Sequence, residues 1–174
     1  MNLLLTIALV AGPSIFFFKG RSEVIVKYVP AVAAGQYTVV VAKNDSPWEE
    51  VSLKRSANWF YHVVAYDSTI RALACYFRSG TIVDDNFGML YLYEIKTNPR
   101  MIMPLSVKQL DIMLKTADAK LQARATAHDV SEAMTLIAYV SELLNSIPDP
   151  MHECQFRTEK RRLLDYAAVL AVRP

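Results

Sequence analysis

The sequence predicts a single α+β domain, and three observations predict it. β-branched and aromatic residues crowd the first third of the chain, while capped amphipathic stretches fill the last third. Gly, Pro, Asn and Asp clusters punctuate the segments between them without opening a linker or a repeat. At 174 residues, 53% hydrophobic and 21% charged, the chain is long enough for one sizeable core and too apolar to be disordered.

Residues 1–18, MNLLLTIALVAGPSIFFF, carry no charge and hold an apolar run from Leu3 to Val10. A run this short resembles the h-region of a secretory signal more than a membrane span, which needs about 20 apolar residues. A signal peptide over 1–14, a secreted protein and a domain over 15–174 are therefore expected, with no stable membrane span. The alternative is a retained first segment, buried as strand or helix in an intracellular protein.

Ser14–Lys19, Glu23–Val29 and Tyr37–Ala42 read as strands separated by Gly20-Arg21-Ser22 and by Pro30…Gly35. Lys43–Glu50 is a turn cluster in which Ser46-Pro47 could start a short helix with Trp48 in its first turn. Over Val51–His62, Leu53, Ala57, Phe60 and Val64 recur at three- and four-residue steps, which predicts a helix. Val63–Tyr66 reads as strand. The next segment, TIRALACYFRSG, places Ile70, Leu73, Ala74 and Phe77 on one helical face with Gly80 as its C-cap. After a polar loop over Val83–Gly88, the apolar, aromatic run GMLYLYEI predicts a buried strand that stops at Asn98-Pro99.

Ser106 then caps a long helix whose inward stripe is Val107, Leu110, Met113, Leu114, Ala117 and Leu121. Asp129 and Glu132 have capping-box spacing for a second helix reaching about Asn145. Pro148 and Pro150 break it, and Thr158 starts a last helix with Leu163, Leu164, Ala167 and Leu170 inward.

Composition excludes several classes. A net charge of +2, with no Lys/Arg stripe alternating with aromatics along the chain, argues against nucleic acid as a partner. His62, His128 and His152 are scattered and the two cysteines far apart, so no metal site is expected. Cys75 and Cys154 could form one disulfide in a secreted chain or stay as two buried thiols. Glycine-rich phosphate loops, Gly-x-Ser-x-Gly elbows and His-Glu-x-x-His pairs are missing from the sequence.

The polar candidates each have an ordinary reading. Glu153, held between His152 and Cys154 after two prolines, could stabilise an oxocarbenium-like centre or be a solvated acid. Ser68-Thr69 reads as a helix N-cap, Lys19 as a strand-end cation able to meet a phosphate, and His62 as a packed or surface histidine.

In order, four of these pieces resemble the cholera and heat-labile enterotoxin A-chain family of ADP-ribosyltransferases, including its fungal relatives. YLYEIKTNPRMI, Tyr91 to Ile102, resembles the family's central Tyr-x-Tyr-x-Ile strand. AYDSTIRALACYF resembles its Tyr-x-Ser-Thr-Ser strand and the helix that follows. IFFFKG falls where an aromatic strand ends in the family's NAD-binding arginine, and DPMHECQF resembles the segment carrying its catalytic glutamate. The resemblance implies two abutting sheets with an NAD cleft between them, here with added C-terminal helices. It implies NAD as cofactor, held by Lys19, Ser68, Thr69 and His62, with Glu153 and Ser68 as the catalytic pair.

Three positions depart from that pattern. Lys19 replaces the arginine and loses its forked grip on phosphate, Ile70 replaces the last serine, and Met151 stands at the first glutamate. The departures favour a degenerate active site in an effector or interaction module whose target protein is not named by the sequence. Two alternatives stay open. One is an active divergent transferase or NAD glycohydrolase, and the other a non-enzymatic subunit of a larger assembly.

Overall fold

The computed structural model describes residues 13–31, 35–44, 46–96, 102–122 and 124–173. The apolar N-terminal run and the Asn98-Pro99 stop lie outside the described residues. Among the described residues ten strands precede three helices: β1 (Ser14–Lys19), β2 (Glu23–Val29), β3 (Thr38–Lys43), β4 (Glu49–Ser52), β5 (Lys54–Ser56), β6 (Trp59–Ala65), β7 (Ala72–Ser79), β8 (Ile82–Asp84), β9 (Tyr91–Ile95), β10 (Ile102–Leu105), α1 (Val107–Lys120), α2 (Ala127–Asn145) and α3 (Gln155–Ala171). The strands make two antiparallel sheets. One has the order β1-β2-β6-β5, and the other β10-β9-β7-β3-β4 with β8 also paired to β7.

The second sheet is the middle of three layers. Along β7, Leu73, Cys75 and Phe77 point to the first sheet while Ala72, Ala74 and Tyr76 point to the helices, and all six are buried. β3 divides in the same way, with Val39 and Val41 on one side and Val40 on the other. The inter-sheet core adds Val24, Val26, Tyr28, Phe60 and Val64 from the first sheet, and the second core adds Leu110, Leu114, Val140, Leu144, Phe156 and Leu163 from the helices. The chain passes from one sheet to the other without a loop. β4 ends the second sheet, buried Leu53 donates its N–H to the Tyr37 carbonyl at 2.9 Å, and β5 begins the first. At one end of the inter-sheet core the Asp84 carboxylate accepts the phenol protons of Tyr28 and Tyr91, each at 2.7 Å.

Two expected helices are strands. Segment 51–62 forms β4, β5 and the start of β6, because Trp59–Val64 is aromatic and β-branched and each piece finds an antiparallel neighbour. Segment 70–79 contains β7 (Ala72–Ser79), the middle strand of its sheet. A strand buried on both faces is apolar throughout, so its two-residue period disappears and a helical stripe can be picked out of it. Gly80 is therefore no helix cap but turns β7 into β8 at φ +58°. Pro47 and Trp48 start no helix, and the Trp48 indole N–H donates to the Asp149 carbonyl at 2.7 Å. The β9 strand is present as expected but buries only Leu92 and Ile95 fully, and β7 rather than β9 is central.

The helices follow the sequence more closely. Ser106 caps α1 in a full capping box with Gln109, although the helix ends at Lys120. α2 uses the box Thr126/Asp129 instead of Asp129/Glu132, and α3 starts at Gln155 with Cys154 as its N-cap. Each box is worth about 1 kcal/mol. Cys75 lies between the sheets and Cys154 packs against the helix-side core, so the middle sheet separates two free thiols and the disulfide option is closed. Among the described residues no helix is long and apolar enough to cross a membrane, and no group of three or more His, Cys, Asp or Glu is placed to hold a metal.

Candidate functional site

The ends of four strand segments meet in one depression of about 380 Å³, lined by Lys19, Arg21, Tyr66, Asp67, Ser68, Ile70, Arg71, Ile95 and Lys96. Each wall is set by local hydrogen bonding. Gly20 closes the β1–β2 turn by donating to the Glu23 carbonyl at 2.7 Å, which puts Arg21 at the tip. Tyr66 follows β6 and ties it to that turn, its N–H reaching the Ser22 carbonyl at 2.9 Å and its hydroxyl the Gly20 carbonyl at 3.0 Å. Asp67 folds the next turn over itself. Its Oδ1 accepts the Thr69 N–H at 2.8 Å and the Thr69 hydroxyl at 2.5 Å, and these bonds hold its carboxyl below the usual carboxylate range. Ser68 thus sits in a turn between two strands, not at a helix N-cap. The Asn44 side chain fixes the start of β7, accepting the Arg71 N–H at 2.7 Å and donating to the Thr69 carbonyl at 2.8 Å.

Four cations line the depression against one carboxylate within it, Asp67. Lys19 Nζ lies 5.1 Å from the centre of the Tyr66 ring and 3.4 Å from the Lys96 carbonyl. Arg71 pairs with Glu142 at 2.9 Å and Lys96 with Glu94 at 2.6 Å. Among the described residues, neither Lys19 nor Arg21 is paired with a carboxylate. The Arg71–Glu142 pair is mostly solvated and so adds little to stability, which leaves its guanidinium free to change partner. A site of this volume suits part of a small molecule, and its charge suits an anion.

The structure brings together only some of the residues singled out from sequence. Lys19 and Ser68 share the depression, and Thr69 lies just beyond it on a neighbouring hollow that also contains Arg71. His62 sits mid-strand on β6, opposite Val26, and does not line the depression. Burial holds its imidazole below the ordinary value. Glu153 is elsewhere. It lies just before helix α3, which is anchored by the Phe156 N–H donating to the Gly88 carbonyl ahead of β9, whereas Lys19 meets Lys96 just after β9. β9 alone spans about 17 Å. The Glu153 side chain is 89% exposed and its carboxylate is paired with Arg157. Ser68 therefore cannot steady Glu153.

Arg21, Arg71 and Lys96 were not singled out from sequence. Each is an ordinary surface cation on its own strand end, and only the strand order makes them neighbours. No protein-family model matches the chain, and neither a curated protein nor a solved structure matches it.

Proposed function

We propose that this protein is a non-catalytic binding module that takes a phosphate-bearing ligand of the NAD type in the Lys19–Arg21–Arg71 depression. The reading keeps the degenerate ADP-ribosyltransferase-like core and the role of effector or interaction module. The observation that carries it is the convergence of Lys19 and Ser68 with two arginines, while Glu153 stays out of reach. Cations from which Glu153 is remote favour binding over catalysis, because that acid is the group that would stabilise positive charge at the ribose carbon. Lys19 and Arg21 would face the phosphates as point charge and fork, and the exchangeable Arg71 would follow.

Calorimetric titration with NAD, ADP-ribose and pyrophosphate tests the reading. All three should bind, adenosine should not, and Lys19→Ala/Arg21→Ala should remove binding without loss of the fold. A chain that binds none of them has no anion site here. The enzyme reading has its own assay, release of nicotinamide from NAD. Release that disappears in Glu153→Ala would replace the module with a working transferase or glycohydrolase.

A further inference from the structure

The outward face of the first sheet carries a pattern that cannot be seen along the chain. Phe16 on β1 is paired with Lys27 on β2, Lys27 with Tyr61 on β6, and Tyr61 with Lys54 on β5. One row across four strands therefore alternates ring, cation, ring, cation. Direct cross-strand partners lie on one face, about 5 Å apart. The face is the outer one, because the intervening β2 residues Val24, Val26 and Tyr28 are buried in the inter-sheet core. Phe16 and Phe18 are 47% and 53% exposed. Trp59 extends the row, its ring centre 5.3 Å from that of Tyr61. Lys27 Nζ lies 4.7 Å from the Trp59 ring centre and 5.7 Å from that of Phe16.

We propose that this face is a stacking platform for single-stranded nucleic acid, with the rings taking bases and Lys27 and Lys54 taking the phosphates between them. Antiparallel sheets present stacked bases well, and aromatic–base stacking needs no particular sequence. The lysines argue for this occupant over a protein. Protein interfaces are depleted of lysine at their centres, yet Lys27 lies in the middle of this patch. Neither Lys27 nor Lys54 is paired with a carboxylate among the described residues, and Glu23, the acid on this face, sits at its margin opposite Ala65. No residue of the platform lines the depression of the previous section, so the two readings stand or fall separately. The sequence argued against nucleic acid because its net charge is only +2 and because ring and cation do not alternate along it. The sheet supplies the alternation by pairing residues 16, 27, 61 and 54.

The test is fluorescence anisotropy of labelled single strands of about 12 nucleotides, oligo-dT and oligo-U, with the full chain. Binding is expected at about 50 mM salt, weakening with a log–log slope of about −1.4 for two phosphates neutralised. Phe16→Ala and Tyr61→Ala should each weaken binding at least about fivefold. Lys27→Gln should reduce the slope by about 0.7. These side chains point outward, so each variant should keep its fold, which circular dichroism checks. The proposal is overturned by no binding at low salt, by binding indifferent to both ring variants, by tighter binding to duplex than to single strands, or by a chain dimer that Phe16→Ala dissociates. Equal competition by polyglutamate would assign the face to an acidic protein instead.

Discussion

Removing the Asp84 carboxylate separates a local effect from a loss of core packing. In the native chain it accepts two phenol protons, from Tyr28 and Tyr91, each at 2.7 Å. Tyr28 is 2% exposed and stacked on Phe77 at a centroid distance of 4.0 Å, so its hydroxyl has no easy route to water. Hydrogen bonds to a charged acceptor are worth about 1.5–3 kcal/mol each. Because Asp84 and Tyr91 are only partly buried, the low end applies to both, and Asp84→Ala should lose about 3 kcal/mol. Asp84→Asn keeps an acceptor for one phenol and should lose about half as much. For a chain of this length the Asp84→Ala variant should melt about 6–12 °C lower. Urea unfolding followed by far-ultraviolet circular dichroism measures the loss, and a cycle with Tyr28→Phe isolates the bond. Tyr28→Phe should be costly in the native background and close to neutral in the Asp84→Ala background. A loss below about 1 kcal/mol, or a Tyr28→Phe effect equal in both backgrounds, would refute the reasoning.

Two further outcomes follow from the backbone and from the buried phenols. Gly88 sits at φ +81° with space for a Cβ only 3.2 Å from the Gln155 nitrogen, and its carbonyl anchors α3. Gly88→Ala should therefore destabilise by about 2 kcal/mol, against about 1 kcal/mol for Gly80→Ala, where φ is +58° but the surroundings are open. Equal urea midpoints for the two would remove the contact argument. Burial pushes Tyr93 and Tyr139 up to about 12, helped at Tyr139 by its bond to Glu94, and it raises Tyr28 and Tyr91 further. A phenol that resists ionisation only when folded gives stability that is complete below the ordinary value of 10.0 and is lost as pH rises through its folded value. The buried Cys75 thiol is raised in the same way from its ordinary value of 9.0, so the urea midpoint should begin to fall near about pH 9 and fall steeply between about 10 and 12. A midpoint that stays flat across that whole alkaline range contradicts it.

The sequence was most legible where a local signal has a local cause. Ser106 with Gln109 and the stripe through Leu110, Leu114 and Ala117 announce α1 because cap and periodicity are properties of one segment. β1, β2 and β3 were legible for the same reason, since β-branched and aromatic runs between turn residues have few other uses. β7 was misread because its burial on both faces depends on two layers that no window of sequence contains. β4 and β5 were misread because each is only a few residues long and exists only as the partner of a neighbour. The site behaves likewise. Lys19 and Ser68 ended up together, but Arg21, Arg71 and Lys96 became neighbours only through strand order. Glu153 was singled out for its flanking residues, and those place it at the start of α3, where Arg157 takes its charge.

The order of strands before helices has a consequence for biosynthesis. Both sheets are encoded ahead of the helices, so the described strands emerge from the ribosome before α1 does. At roughly 5–20 residues per second, Val40, Ala72, Ala74, Tyr76 and Leu92 would wait several seconds for the helices that cover them. A nascent chain halted in that interval presents one flat oily surface, which makes it a natural client for chaperones and gives translation speed a direct hold on yield.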